Sequence, residues 1–325
     1  MKNFKIFIVL SIITNCNVNS VFSDTKSVVL LQGVEARLSK LDNLNIEFDT
    51  IYKDDIDYGN MILTTKASLS GEKRFFHELP TKNFVGHIGI IDKNKDVYSF
   101  RYGQSDVVLT DIPMAFTRAM VLFDPRIMEL TPSKDIDKTI RFWLTIEHAR
   151  SNGTASKEEL NGKKFWRVHC SNTFAEFDYW IEEPTFRVYR VTRKAEGILY
   201  VEVNSTYKNN DIFPSEIHAV RYEQNEKVWD RTIHVKKLEI TPTFPNDYFT
   251  LKSLNIPLNT TVTDYRISKI IGYWDGEKLS SRYVSPDRTT EIQPAKFNII
   301  RIIFIVSGII LISISVFIKF HKRKI

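Results

Sequence analysis

The chain reads as an α+β protein: a curved antiparallel sheet, an open half-barrel with covering helices, followed by one C-terminal transmembrane helix. Three observations predict this. Short runs of roughly 5 to 9 residues, alternating or rich in aromatic and β-branched side chains, recur between Asn-Gly, Glu-Pro and Asn-Asn turn signals. Val28–Leu41 and Ile136–Arg150 instead keep apolar residues at helical spacing. Finally, Ile302–Ile318 carries no charge and is followed at once by Lys319, His321, Lys322, Arg323 and Lys324.

That last stretch, extended by Ile299 and Ile300, is close to the roughly 20 apolar residues needed to cross a bilayer. Basic residues just beyond such a span mark its cytoplasmic side. At the other end, Lys2 and Lys5 precede the apolar run Ile6–Ile13, and Val21-Phe22-Ser23 offers a small-residue cleavage site before Asp24, the pattern of a secretory signal peptide. The residues before Cys16 are not the small apolar set of a lipidation site. The expected organisation is a signal peptide at 1–23, an extracytoplasmic β-rich domain at 24–264, a juxtamembrane stalk at 265–298, a transmembrane helix at 299–318 and a basic cytoplasmic tail at 319–325. The protein is expected in the cell membrane, single-pass, with its body outside the cytoplasm (periplasmic if bacterial).

Taken in order, the mature chain opens with the amphipathic helix Val28–Leu41. Strands follow at Ile46–Tyr52, Met61–Ser68 and Glu72–His77, the first two separated by the turn Asp57-Tyr-Gly-Asn60. Ile88–Ile91 and Val97–Tyr102 flank the polar turn Asp92–Asp96 and form a hairpin. Gly103–Lys134 is less regular, with a short helix at Ile112–Met120 that Pro113 can open. After Ile136–Arg150, Asn152-Gly153 ends the helix. A long β meander then runs through Phe165–Cys170, Ala175–Ile181, Phe186–Arg193, Ile198–Asn204, Ile217–Tyr222 and Trp229–Ile240.

Charge and cysteine content exclude several classes. The 325-residue chain is formally +6, but seven of its 45 basic residues and none of its 39 acidic ones lie in the two membrane-directed ends. The body keeps 38 basic against 39 acidic residues, so its high pI is no sign of a nucleic-acid-binding face. With the signal removed only Cys170 remains, so the body contains no disulfide of its own and Cys170 reads as a small buried hydrophobe. A body of this size can bury a core without disulfides. Three Asn-x-Ser/Thr triplets, at Asn152, Asn204 and Asn259, matter only in a glycosylating pathway.

Catalytic signatures are missing: no Gly-x-Ser-x-Gly, His-Glu-x-x-His, Cys-x-x-Cys or phosphate-cradling glycine loop occurs. The body's six histidines are not spaced to share a metal on one element, and no cofactor is expected. Asp92-x-Asn94-x-Asp96 imitates the start of a calcium loop but has Val97 and Gly103 where Gly and Glu belong, so it reads as a turn. The feature above background is aromatic density on the strands. In an open half-barrel, Trp166, Val168, Phe177, Tyr179 and Ile181 would line a concave apolar face, and these five are the candidate ligand-binding residues.

Asn161–Val168, followed by Phe177-Asp-Tyr-Trp-Ile-Glu-Glu-Pro184 and Arg187–Arg190, resembles the extracytoplasmic lipoprotein-carrier superfamily (LolA/LolB-like, with the related RseB-like sensor domains). Phe123–Arg126, Asp247–Leu251 and Ile256–Asp264 are similar to segments of a bacterial branch of such proteins. The resemblance spans about Thr25 to Asp264. It implies a curved sheet with helices across its mouth that binds an acyl chain or a lipidated protein without covalent chemistry. The C-terminal anchor departs from the soluble carriers and favours a membrane-held sensor, chaperone or adaptor. The sequence therefore predicts a non-enzymatic, membrane-anchored binding domain for an apolar ligand or lipidated partner. The alternative is an ectodomain that binds another protein as receptor, adhesin or scaffold.

Overall fold

A thirteen-residue strand, β1 (Asn43–Asp55), forms the seam of the molecule. The computed structural model describes residues 24–55, 59–111, 124–130, 152–171, 175–209 and 211–281. On one side β1 pairs antiparallel with β2 (Gly59–Ser70), which continues as a meander through β3 (Lys73–Glu78), β4 (His87–Ile91), β5 (Val97–Arg101) and β6 (Asp106–Thr110). The other arm of the sheet consists of β7 (Thr154–Leu160), β8 (Lys163–Ser171), β9 (Glu176–Glu182), β10 (Arg187–Ala195), β11 (Ile198–Thr206), β12 (Glu216–Glu223) and β13 (Glu226–Ile240). Its last strand, β13, closes on the free side of β1, bringing Leu44 opposite Ile240 and Tyr52 opposite Arg231.

Each hairpin is local, so the turn and the alternation of apolar residues fix its register. On β1, Leu44, Ile46, Phe48, Thr50 and Tyr52 are buried while the residues between them are partly exposed. The sheet then grows past β6. β14 (Thr261–Asp264) joins β6 in parallel, with Val262 beside Val107, and β15 (Lys269–Trp274) and β16 (Leu279–Ser280) extend it to sixteen strands. These last two strands come from the stretch read as stalk.

The predicted fold class is corrected here. The sheet is mixed, not wholly antiparallel, because β14 returns to β6 across nearly half the chain and runs alongside it. A parallel pair needs such a long crossover, and no local turn signal announces it. One complete α-helix, α1 (Thr25–Ser39), stands among the described residues in place of several covering helices. The helices expected at Ile112–Met120 and Ile136–Arg150 lie outside the described residues, and so does the expected transmembrane helix at 299–318. Among the described residues no helix is long and apolar enough to cross a membrane.

α1 starts where Asp24, in extended conformation, turns its carboxylate back onto the Lys26 amide at 3.0 Å. The same residue docks the helix: the Asp24 amide and the Ser27 hydroxyl both donate to the Gly153 carbonyl at 2.9 Å. Its other carboxylate oxygen accepts from the Ala155 amide on β7. Leu30, Leu31, Val34 and Leu38 then form the buried stripe of the helix. They pack on Leu44, Ile46 and Phe48 of β1 and on inward residues of β2 and β8–β13. Full burial of each leucine contributes on the order of 2 kcal/mol. The opposite side of β4–β6 carries a second core, in which Leu254 and Ile256 pack on Ile88, Ile90, Phe100, Val107, Leu109, Val262 and Trp274.

Two Asp-x-Arg forks brace the loops at this arm. Arg126 folds back on Asp124 and reaches Asp42 at 2.7 Å; Arg266 does the same with Asp264 and reaches Asp96 at 2.7 Å. Burial by itself would raise the Asp124 pKa, but hydrogen bonds from Arg126 and Arg74 outweigh it and hold the carboxyl at about 2. This carboxylate therefore contributes stability above its ordinary value near 4 that is lost as pH falls toward 2. The contribution is about 2 kcal/mol. Urea midpoints measured from pH 6 down to 2.5 should fall more steeply for the wild type than for Asp124→Asn. Parallel curves for the two proteins would refute the assignment.

Candidate functional site

Where α1 meets the β9–β10 turn, the surface opens into a groove of about 490 Å³. Gly33 and Ala36 of α1 form one wall, with Phe186 and Ile212 facing them; Lys40, Arg187 and Asp211 supply the polar rim, and Arg37 lies below it. This volume falls in the range of small-molecule sites, and an apolar floor with few polar groups is their usual composition.

The groove's geometry rests on a glycine. A β-carbon at Gly33 would lie 2.2 Å from Phe186 Cδ1, so only glycine lets that ring lie against the helix. Phe186 itself has φ +55°, a left-handed conformation that bulky residues avoid. It is held there from several sides. Its amide donates to the Glu182 carbonyl at 2.7 Å, and its carbonyl accepts from Arg37 Nε at 2.9 Å. Gly33→Ala should gain helix propensity of about 1 kcal/mol and lose more by displacing the ring, a net loss of about 1–2 kcal/mol. Urea unfolding measures it, and a variant as stable as wild type would mean the ring does not occupy that place.

Beneath the rim lies a buried charge cluster. Arg37 donates to both carboxylate oxygens of Glu129 and to the Ile212 carbonyl, while the Tyr207 hydroxyl donates to Glu129. The Glu129 side chain is 0% and that of Arg37 5% exposed, so neither charge is solvated by water. Burial lowers the Arg37 pKa and pushes the Tyr207 phenol up to about 12. Arg187 stacks over Tyr207 at 5.1 Å, completing the rim.

The five residues expected to bind ligand come together on one face of β8 and β9. Trp166 stands opposite Ile181, Val168 opposite Tyr179, and the Phe177 and Tyr179 rings stack at 6.5 Å. Val168, Tyr179 and Ile181 are fully buried, Phe177 nearly so, in the same cluster as the α1 leucines. Trp166 is half-buried beside the groove: its indole N–H donates to Glu183 at 2.9 Å, and the Lys26 ammonium sits 4.6 Å from its ring. The groove residues themselves went unnoticed in the sequence. The available signal was Gly33, which interrupts a helix at a position the apolar stripe does not use.

Two other groups of charged side chains pair among themselves. A second cavity of about 440 Å³ is ringed by Asp42, Glu72, Arg74, Lys95 and Arg126, in which Lys95–Glu72 and Arg126–Asp42 pair at 3.0 and 2.7 Å. On the outer face of β8–β10, buried Asp178 accepts from Arg167 at 2.8 Å and lies 2.9 Å from His169 Nδ1. Burial tends to raise its pKa, and those hydrogen bonds prevail and keep it low. Cys170 is buried and its thiol is pushed up to about 12, which suits a core residue and not a nucleophile. Among the described residues no cluster of His, Cys, Asp or Glu could hold a metal ion.

No protein family model matches the chain, and no curated protein matches it. Solved structures do. An outer membrane lipoprotein-sorting protein domain from Vibrio parahaemolyticus aligns over 70% of this chain and 98% of its own, at 12% identity and a TM-score of 0.48. A LolA superfamily protein from Nitrosomonas europaea covers 68% and 98%, at 11% identity and 0.44. A DUF1329 family protein from Desulfovibrio piger covers 72% and 100%, at 10% identity and 0.46. Two of these three structures carry the lipoprotein-sorting and LolA superfamily descriptions that the sequence phrases resemble.

Proposed function

We propose that this chain is a non-enzymatic, membrane-anchored extracytoplasmic domain that binds an apolar ligand or the lipid of a lipidated partner. The observation that carries this reading is the groove between α1 and the β9–β10 turn, with Phe186 and Ile212 as an apolar floor and cationic groups at its rim. Acyl chains suit such a floor because each buried methylene contributes about 0.8 kcal/mol. Val168, Phe177, Tyr179 and Ile181 form the buried sheet face behind α1, which a longer chain would reach only by displacing the helix, while half-buried Trp166 stays accessible. An anchor at 299–318 would tether the domain to a membrane.

The test uses full-length protein in nanodiscs, with empty nanodiscs as baseline, titrated with a fluorescent fatty acid. Wild type should give saturable binding above baseline. Ala36→Trp, which fills the groove from an exposed position, should weaken it about tenfold, corresponding to 1.4 kcal/mol. A wild type that ignores the probe, or a filled groove that binds it equally well, would remove the basis for this reading.

A further inference from the structure

One pleat along from the Tyr179–Val191 pair, the helix-side face of the sheet changes from aliphatic to a row of rings and guanidinium groups. Phe177 on β9 stands opposite Arg193 on β10, and Arg193 pairs with Val201 on β11. Val201 in turn pairs with Arg221 on β12, and Arg221 faces Trp229 on β13. Arg231 lies two residues further along β13, opposite Tyr52 on β1. The register shift on β10 and β11 sets the Tyr200 ring between two arginines: Arg193 is 4.9 Å and Arg221 4.8 Å from its centroid. Arg193 also lies 5.8 Å from Phe177, and Arg231 lies 4.5 Å from Trp229 and 5.1 Å from Tyr52. The row crosses six adjacent strands.

The charges along this row are unequal. Arg231 is buried and bonded to Asp55 at 2.6 Å. Arg221 pairs with Glu223, which is 51% exposed at the strand end, and the buried Nε of Arg221 has no hydrogen-bond acceptor. Arg193, Tyr200 and Arg221 are all partly exposed, and the tyrosine ring between the two guanidinium groups restricts their motion. Guanidinium groups present planar forks of N–H donors that match phosphate oxygens.

We propose that Arg193, Tyr200 and Arg221 form a phosphate-binding site, distinct from the groove, that takes either a phospholipid headgroup or free phosphate. The site is tested on full-length protein in neutral phosphatidylcholine nanodiscs by calorimetric titration with inorganic phosphate and with short-chain phosphatidylglycerol or phosphatidylcholine. Saturable binding of phosphatidylglycerol but not phosphatidylcholine is expected for a headgroup site. Binding of inorganic phosphate as tightly as the lipid would assign free phosphate. R193Q/R221Q should weaken binding by at least about tenfold, the loss of one charge-assisted hydrogen bond or more, while R190Q on the opposite face should not. R221K, which keeps the charge and loses the fork, should fall between and guards against a double variant that does not fold. Failure of wild type to bind either phosphate probe, or undiminished binding by R221K together with R193Q/R221Q, would overturn the site. Ala36→Trp should leave it intact, so this result stands or falls apart from the groove.

Discussion

Glu129→Leu should lower the stability of the protein by about 3–5 kcal/mol, because it strands the Arg37 guanidinium in a place water does not reach. For a domain of this size the melting temperature should drop by on the order of 10 °C. Arg37 would keep its bonds to the Phe186 and Ile212 carbonyls, but two neutral acceptors do not offset a buried positive charge. The double variant Arg37→Met/Glu129→Leu should recover most of the loss, since a hydrophobic pair of similar volume often replaces a buried ion pair at little cost. Differential scanning calorimetry of wild type, both single variants and the double one measures the coupling. A single variant that melts with wild type would show that the pair is solvated.

Tyr179→Ala should cost about 3–5 kcal/mol, in line with other large aromatic-to-alanine changes in cores. The side chain is 1% exposed, stacked on Phe177 and enclosed with Val168, Ile181 and the α1 leucines. Trp166→Ala, at a half-buried site with one hydrogen bond to Glu183, should cost clearly less. The contrast separates two roles within the five residues chosen from sequence. Urea midpoints give the comparison directly, and equal midpoints for Tyr179→Ala and wild type would contradict the packing.

Much of the sheet was legible because alternation is a local signal. Ile46–Tyr52, Met61–Ser68 and the six meander strands from Phe165 onward fall within observed strands, exceeding them by no more than one residue at their starts, and the Val28–Leu41 stripe marks α1 to within a turn. The strands that escaped notice lack that signal. β7 is a polar edge strand, Thr-Ala-Ser-Lys-Glu-Glu-Leu, whose side chains gain little from burial. β6 and β14 are short and meet only across a parallel contact between distant segments. The groove was illegible for a related reason. Phe186, Ile212 and Gly33 belong to a turn, a loop and a helix, and only the left-handed backbone at Phe186 brings the ring onto the glycine.

The seam between β1 and β13 has a kinetic consequence. Every other pairing on either side of it joins neighbours in sequence, up to β6 in one direction and down to β7 in the other. Each arm can therefore assemble from short hairpins on its own, whereas the seam must wait for residues from opposite ends of the domain to meet. Refolding should be limited by that encounter, and substitutions at Phe48 or Ile233, which lie on the seam strands, should slow it more than equal losses placed inside either arm.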